Sequence, residues 1–376
     1  DILFSGQTVN KRNEKVNLLD VDMEIGFVGN PNIGSIVLNQ FKDSEEYKIM
    51  ASNFNADDRI FIISSIFGGT GAAGFPSVLK IIRNAINQSN IHSKGFLQNA
   101  KIGAITALPY FNIENTEKSP IQKSEFIAKS RAALYYYKDN ITKNNSINAL
   151  YYIADDYNGK PYKNDPGNDG QQNPAHFVEL ISALSVIDFI ETPDSDLETI
   201  NGKASRPIYK SFGMKDDLPE NKFSNFEANT EGKISCALSQ MVLFKQYINH
   251  RLKESVGKQA WSIDEPTIGN AFLNETFFRT HITEFMSFLG EWLKEMAENR
   301  RNLAPFNLKT NTIDTLLMDK EVESGWFITK TDFSLYDDKL SKNCKGKSYN
   351  SPEQKFIKLF YDTTKEILTS KFGFKK

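Results

Sequence analysis

The stretch RIFIISSIFGGTGAAGFPSVLKIIR, residues 59–83, decides the fold class. It starts as a β-branched apolar run, passes through a glycine-rich turn and continues with helical apolar spacing. Two further apolar runs, 101–107 and 149–154, alternate with helical patterns at 74–88 and 124–137. Strands that alternate with helical segments are typical of βαβ units, whose strands are parallel. The first half of the chain is therefore predicted to be an α/β domain built on a parallel sheet.

The turn in this stretch predicts a phosphate site. Gly68, Gly69, Thr70, Gly71 and Ala72 are small enough for backbone N–H groups to approach an anion, and the helix that follows adds the partial positive charge of its N-terminus. A side chain at Gly71 is expected to fill the space of the phosphate oxygens. No Lys follows at the place required by a GxxxxGK[ST] loop. A tight turn without a ligand is the alternative interpretation.

Composition limits the functional classes. The chain has 376 residues, with 45 Lys and Arg against 47 Asp and Glu, so no overall cationic field favours nucleic acid. A hydrophobic fraction of 40% and an aromatic fraction of 12% exclude a disordered chain. No apolar run approaches the ~20 residues of a membrane-spanning helix. We predict a cytoplasmic protein with no membrane span, and expect natural residues to precede Asp1 because the chain does not begin with Met.

Cysteine and histidine give no support for a metal centre. Cys236 and Cys344 are far apart and belong to no CxxC or Cys/His cluster, and the four histidines are scattered. The two cysteines are therefore predicted to be reduced thiols, and no metal ligand is predicted.

Periodicity divides the chain into three parts. A nucleotide-binding domain is predicted for 1–193, ending in a long helix at 174–192, and an irregular linker for 194–232. A mainly helical domain is predicted for 233–376, where only 325–331 has the pattern of a strand. One of its helices carries apolar residues that we interpret as core: Phe278, Ile282, Phe285, Leu289, Trp292, Leu293 and Met296.

The order of motifs in 20–194 resembles the nucleotide domain of the tubulin/FtsZ superfamily, which implies a Rossmann-like parallel sheet of tubulin/FtsZ type. Gly29 and Asn30, in GNPNIG, are similar to the GNPxxG segment that contacts the γ-phosphate side of the nucleotide. The segment 68–71 resembles the GGGTG signature. Pro109, in TALPY, resembles the TKPF segment, and Glu114 then falls near the ribose-contacting Glu. The resemblance implies GTP or GDP as ligand, with Mg²⁺ as a further candidate.

Departures from the family pattern affect base recognition and the phosphate loop. Phe67 replaces the first Gly of the signature, and the family's first glycine run is absent. His176 stands where the family places its guanine-reading Asn. Phe177 can supply a stacking face, and Asn173 is expected one helical turn away on the same face. The resemblance therefore implies nucleotide binding more firmly than it implies guanine.

The family completes hydrolysis between subunits, through an acidic loop that reaches the next subunit's γ-phosphate. Here that loop contains Asp194 and Asp196, without the NxDxxD pattern. They are the candidate catalytic residues, and a solvated acidic loop is the alternative. The resemblance implies head-to-tail self-association into filaments with slow or no hydrolysis, and the helical half is expected to contact a protein partner.

Two other functions remain open. The first is a nucleotide-sensing scaffold that binds but neither hydrolyses nor polymerises, which the imperfect acidic loop favours. The second is an NAD(P)-dependent oxidoreductase of short-chain type, whose nucleotide loop the GGTGAAG turn also resembles. Against the oxidoreductase, the strand in KIGAITALPYF lacks the terminal acidic residue that would bind the adenosine ribose.

Overall fold

The computed structural model describes residues 7–9, 15–17, 26–27, 29–89, 91–112, 123–155, 174–211, 220–299, 301–322 and 332–374. The chain divides into two units, Asp1–Asn173 with Val178–Phe212, and Pro174–Phe177 with Gly213–Lys376. The first is an α/β unit and the second is mainly helical.

A parallel sheet organises the first unit. The strands of this unit are β1 (Gln7–Val9), β2 (Lys15–Asn17), β3 (Arg59–Ser65), β4 (Lys101–Ala107), β5 (Ala149–Ile153), β6 (Thr199–Ile200), β7 (Lys203–Ala204) and β8 (Ile208–Ser211). Four of them form a parallel sheet in the order β3-β4-β5-β8, while β1 with β2 and β6 with β7 form antiparallel pairs. The prediction of an α/β domain with a parallel sheet is confirmed.

The predicted linker 194–232 was wrong over its first part, since β8 is the fourth strand of the sheet. Its four residues, IYKS, contain no apolar run and no regular alternation of apolar and polar side chains. A strand of this kind is recognisable only from its neighbour, because the backbone hydrogen bonds to β5 define it.

The helices of the first unit cover the sheet. They are α1 (Pro31–Leu38), α2 (Glu45–Asn53), α3 (Gly69–Arg83), α4 (Lys94–Gln98), α5 (Lys123–Tyr137) and α6 (Phe177–Glu191). Short 3-10 turns occupy Asn39–Asp43, Ala85–Asn87 and Asp194–Asp196, and a π-helical turn occupies Lys138–Thr142. Leu79 and Ile82 of α3 pack on Ile102 and Ala104 of β4 in the core of this unit.

Two helix starts differ from the predicted ones. The helix α3 begins at Gly69 rather than at 74, with Gly68 as an extended N-cap residue at φ −91° and ψ 168°. The segment predicted as a loop is therefore the first turn of the helix. The helix α6 begins at Phe177 rather than at 174, so His176 precedes it. Glycine is a poor helix former, so residue propensity does not predict a helix start at Gly69.

A buried arginine ties α3 to the amino ends of two strands. Arg83 is 8% exposed. Its guanidinium donates to the carbonyl oxygens of Ser146 at 2.7 Å, Gln98 at 2.9 Å and Ala100 at 2.7 Å, and to Oδ1 of Asn148 at 3.0 Å. Burial lowers the pKa of this guanidinium to about 10, so it carries its charge at neutral pH.

The second unit consists of helices around an aromatic core. They are α7 (Ala228–Tyr247), α8 (Lys253–Ser255), α9 (Ala260–Ile263), α10 (Asn270–Asn274), α11 (Thr283–Glu298), α12 (Ser334–Cys344) and α13 (Pro352–Phe372). Further turns are Phe223–Asn225 (3-10) and Ile248–Leu252 and Phe277–Ile282 (π-helical), and the strands β9 (Glu220–Asn221) and β10 (Asn302–Leu303) form a parallel pair. The predicted helical character of this half is confirmed.

One carboxylate of α12 connects this helix with α7, α8 and α9. Asp337 of α12 is 2% exposed. It accepts hydrogen bonds from the hydroxyl of Tyr247, from Arg251 Nε at 2.7 Å, from Ser255 Oγ at 2.7 Å and from Trp261 Nε1 at 3.2 Å. Since four donors from α7, the π-helical turn, α8 and α9 meet one buried acid, this group holds their relative positions.

The sequence predictions about the second unit have different outcomes. The helix α13 has Ser351 as its N-cap residue and Pro352 at its first position, and Ser351 Oγ accepts from Gln354 N at 3.2 Å. Phe285 was wrongly predicted to be core, since it is 50% exposed. Cys236 and Cys344 are free thiols, as predicted. The predicted strand 325–331 lies outside the described residues. Among the helices that are described, none has both the length and the apolar character needed to cross a membrane.

Candidate functional site

The two predicted phosphate segments meet at the carboxyl end of the sheet. A Cβ on Gly69 would lie 2.8 Å from Asn30 N, 2.9 Å from Gly29 N and 2.9 Å from Phe27 O. The backbones of the two segments are thus in direct contact, and only glycine fits at Gly69. Gly29 itself has φ +72°, a conformation that also favours glycine.

A side-chain hydrogen bond strengthens this contact. The N–H of Phe27 donates to Oγ1 of Thr70 at 3.2 Å. A Cβ on Gly26, where φ is +78°, would lie 2.5 Å from the same oxygen. The hydroxyl of Thr70 therefore joins the first turn of α3 to the segment that precedes α1.

A side chain at Gly71 would point at the end of β3 and not into an anion space, which corrects the expectation for a side chain at this position. A Cβ at this position would lie 2.4 Å from Ser65 O and 2.9 Å from Ser65 N. The glycine is therefore needed for packing of α3 against the end of β3, and a side chain there would collide with backbone atoms.

We expect Gly71→Ala to lower the free energy of unfolding of the first unit by about 1–3 kcal/mol, because α3 or β3 must shift to accept the methyl group. Urea denaturation measures the change. The control is Gly95→Ala in α4, where a Cβ meets nothing within 4 Å, so stability should be unchanged or slightly higher. Equal stability of the two variants would contradict this packing argument.

A cavity of about 510 Å³ opens beside the two segments. Its walls come from the start of α1 with Asn30 and Asn32, from α3 with Ala72 and Pro76, and from α5 with Lys129 and Tyr136. Gly29 also lines it, so the predicted residues Gly29, Asn30 and Ala72 face this space. Gly68, Gly69, Thr70, Gly71 and Pro109 are not among its lining residues.

The charges around the cavity favour an anion. The eight-residue helix α1 starts here, with Pro31 at its first position. A helix N-terminus carries a partial positive charge, and Lys129 adds a full one. Sequence reasoning missed Lys129. The available signal was the spacing of Lys129, Ala132, Ala133 and Tyr136, which places these four residues on one face of α5.

Phe67, the residue that precedes Gly68, belongs to an aromatic cluster. Its ring centroid lies 5.9 Å from Tyr110, 5.5 Å from Phe111 and 5.0 Å from Phe126. These rings follow β3 and β4 and begin α5, so they hold together the connections at the carboxyl end of the sheet. Burial of apolar rings accounts for a phenylalanine at this position.

The candidate catalytic acids lie at the other end of the sheet. Asp194 pairs with Arg59 at 2.6 Å and with Lys101 at 2.8 Å, the first residues of β3 and β4. Hydrogen bonds from Lys101 and Arg59 lower the pKa of this carboxyl. Asp196 lies in the same 3-10 turn. The strand β3 separates them from the glycine segments by about 20 Å, at roughly 3.3 Å per residue.

His176 belongs to the second unit and directly precedes α6 along the chain. It is 5% exposed, and its ring centroid lies 4.8 Å from that of Phe177. The adjacent Ala175 is fixed on both sides, since its N–H donates to Glu295 Oε2 at 3.0 Å and its carbonyl accepts from Asn299 Nδ2 at 2.7 Å. The cavity lining includes neither His176 nor Phe177. Glu114 and Asn173 lie outside the described residues.

Burial, and then the charge of Arg301, lowers the pKa of His176 from 6.5 to about 4. Between these pH values the unfolded chain takes up a proton that the folded chain does not, so stability should fall as the pH drops from about 6.5 to 4. His176→Gln should show a smaller fall. Urea midpoints at about pH 7 and pH 5 measure the fall in stability of each protein. The carboxyl groups titrate in both proteins, so the difference between the two falls gives the contribution of His176. Identical pH profiles would contradict it.

The described residues contain no group of three or more His, Cys, Asp or Glu side chains that could hold a metal ion. No protein-family model, curated protein or solved structure matches this chain.

Proposed function

We propose that this protein is a divergent member of the tubulin/FtsZ superfamily that binds GTP or a related nucleotide at the carboxyl end of its parallel sheet. The observation that carries the proposal is the backbone contact between the segment of Gly29 and Asn30 and the first turn of α3 at Gly69. Two glycine segments distant in sequence form one surface beside the cavity. Crevices at the carboxyl ends of parallel strands are the usual ligand sites of α/β folds.

The cavity suits the phosphate part of such a ligand. Its volume of about 510 Å³ lies within the roughly 300–1,000 Å³ of small-molecule sites. The N-terminus of α1 supplies backbone N–H groups, and Lys129 supplies a positive charge from α5. The glycine segments contain no Lys or Arg, so in this proposal Lys129 supplies the positive charge that binds the phosphate.

Self-association follows from the positions of the two sets of residues. The glycine segments and Asp194 lie at opposite ends of β3, so they approach one another only when subunits stack end to end. Such a heterologous contact produces open filaments unless its rotation closes a ring. Because Arg59 and Lys101 already bind the carboxylate of Asp194, we propose slow hydrolysis.

The same ion pairs favour a second candidate function, a nucleotide sensor that does not polymerise. Asp194 serves there only to join α6 to the amino ends of β3 and β4. Nucleotide binding is common to both candidates, and assembly distinguishes them.

Titration with fluorescent GTP and ATP in the presence of Mg²⁺ tests the binding step. Lys129→Gln should weaken binding by about 10- to 100-fold, as expected when a charged hydrogen-bond partner of phosphate is removed. The matched control Lys138→Gln changes an exposed lysine that does not line the cavity and should bind normally. Failure of the native chain to bind either nucleotide would refute the proposal, as would equal binding by both variants.

Sedimentation with and without GTP tests assembly. Fast-sedimenting species that appear only with nucleotide, and become fewer after Asp196→Lys, would support head-to-tail contacts. If the protein binds nucleotide and stays monomeric at tens of micromolar, the result would support the second candidate, the nucleotide sensor that does not polymerise.

A further inference from the structure

The helix α11 exposes an aromatic stripe, defined as Phe285, Phe288 and Trp292. Phe285 is 50% exposed, Phe288 is 66% exposed and Trp292 is half-buried. Their spacing of three and four residues places them on one face of the helix. A row of large exposed aromatic side chains is uncommon on a surface without a binding role, whereas single exposed apolar residues are ordinary.

The face of α11 next to the aromatic stripe anchors the helix. Met286, Leu289, Leu293 and Met296 are buried in the second unit. The π-helical turn Phe277–Ile282 leads directly into α11, and the buried side chains anchor the helix from Met286 to Met296. The aromatic stripe therefore lies on a rigid support, and it is available to a partner without rearrangement of the helix.

A row of carboxylates borders the aromatic stripe. Helical spacing places Glu284, Glu291, Glu295 and Glu298 along its solvent side. Glu295 accepts from Ala175 N at 3.0 Å, and Lys294 approaches Glu298 only to 3.9 Å with both side chains exposed. Glu284 and Glu291, which stand next to Phe288 in the helical wheel, give this border its negative charge.

We propose that the aromatic stripe of α11 is a docking surface for an amphipathic, basic helix of a partner protein. The apolar face of such a helix covers Phe285 and Phe288, and its Lys or Arg side chains meet Glu284 and Glu291. Charge favours this occupant over others. An anionic lipid surface or a nucleic acid is repelled by the glutamates, and two copies of α11 packed on each other would bring the two acidic borders together.

A synthetic amphipathic peptide of about 14 Leu and Lys residues serves as the probe, with a Leu/Glu peptide of the same pattern as its counterpart. Fluorescence anisotropy with the full chain should show binding of the Leu/Lys peptide and none of the Leu/Glu peptide. Phe285→Ser combined with Phe288→Ser should weaken binding by about tenfold or more, since central aromatic residues dominate such interfaces. The control Tyr361→Ser removes another exposed aromatic residue of the same unit and should bind normally.

Charge reversal supplies the second arm of the test. Glu284→Lys with Glu291→Lys should lose the Leu/Lys peptide and gain the Leu/Glu peptide. The variant Glu254→Lys with Glu321→Lys makes the same change in net charge at other exposed positions and should behave as the native chain. Equal binding by all variants, or absence of binding to the Leu/Lys peptide, would overturn the proposal. Loss of self-association in the Phe285→Ser and Phe288→Ser variant would instead assign the surface to a second copy.

Discussion

Replacing Asp337 by Ala is expected to lower the free energy of unfolding of the helical unit by about 3–5 kcal/mol. The native carboxylate accepts hydrogen bonds from Tyr247, Arg251, Ser255 and Trp261 while it is 2% exposed. Its removal leaves the buried donors of Tyr247, Ser255 and Trp261 without this acceptor, and Arg251 keeps only Glu254 as an anionic partner. Leaving buried donors unsatisfied is more costly than the loss of an ordinary hydrogen bond.

Urea denaturation followed by tryptophan fluorescence measures this effect, because Trp261 is itself part of the network. Asp337→Asn keeps one acceptor oxygen and should fall between the native chain and Asp337→Ala. The control is Asp338→Ala, which removes an exposed carboxylate one residue away and should change stability by roughly 0.5 kcal/mol or less. A loss below about 1 kcal/mol for Asp337→Ala would show that the network is not a stabilising centre.

Arg83→Met should destabilise the α/β unit by about 3–5 kcal/mol, although Met fills a similar length of apolar space, because each acceptor left without a donor costs about 1–3 kcal/mol. Four acceptors at the amino ends of β4 and β5 depend on this guanidinium. Asn148 loses one partner but retains others, since its Oδ1 accepts from Ile102 N at 2.8 Å and its Nδ2 donates to Leu197 O at 2.8 Å. The backbone carbonyl oxygens of Gln98, Ala100 and Ser146 lose the bonds that Arg83 makes.

Hydrogen exchange of β4 and β5 amides, together with urea denaturation, measures the consequence. Arg83→Lys keeps the charge with fewer donors and should give an intermediate loss. The exposed Arg131 of α5 supplies the control, and Arg131→Met should leave both exchange and stability close to native. Native protection of β4 and β5 in Arg83→Met would contradict the assigned role.

The strands β3 and β4 could be predicted because each is a seven-residue run of mostly apolar residues next to turn residues. The strand β8 could not, because its pattern is weak and its state depends on pairing with β5. Phe285 shows a related limit. Helical spacing predicts that Phe285 belongs to the core. Which side of α11 meets the core depends on the neighbouring helices, however, and Phe285 lies on the exposed side.

The candidate site also combines features that the sequence predicts with features that only the structure shows. The sequence by itself determined that small residues at 26–34 and 68–74 permit close backbone approach, since this property belongs to the residue types. Only the tertiary structure decided that Gly69 touches Gly29 and Asn30, that Gly71 faces Ser65, and that Lys129 of α5 reaches the same cavity. Contacts between segments forty to one hundred residues apart depend on how helices pack on the sheet. That packing is set by the shape of the whole core, which no local pattern encodes.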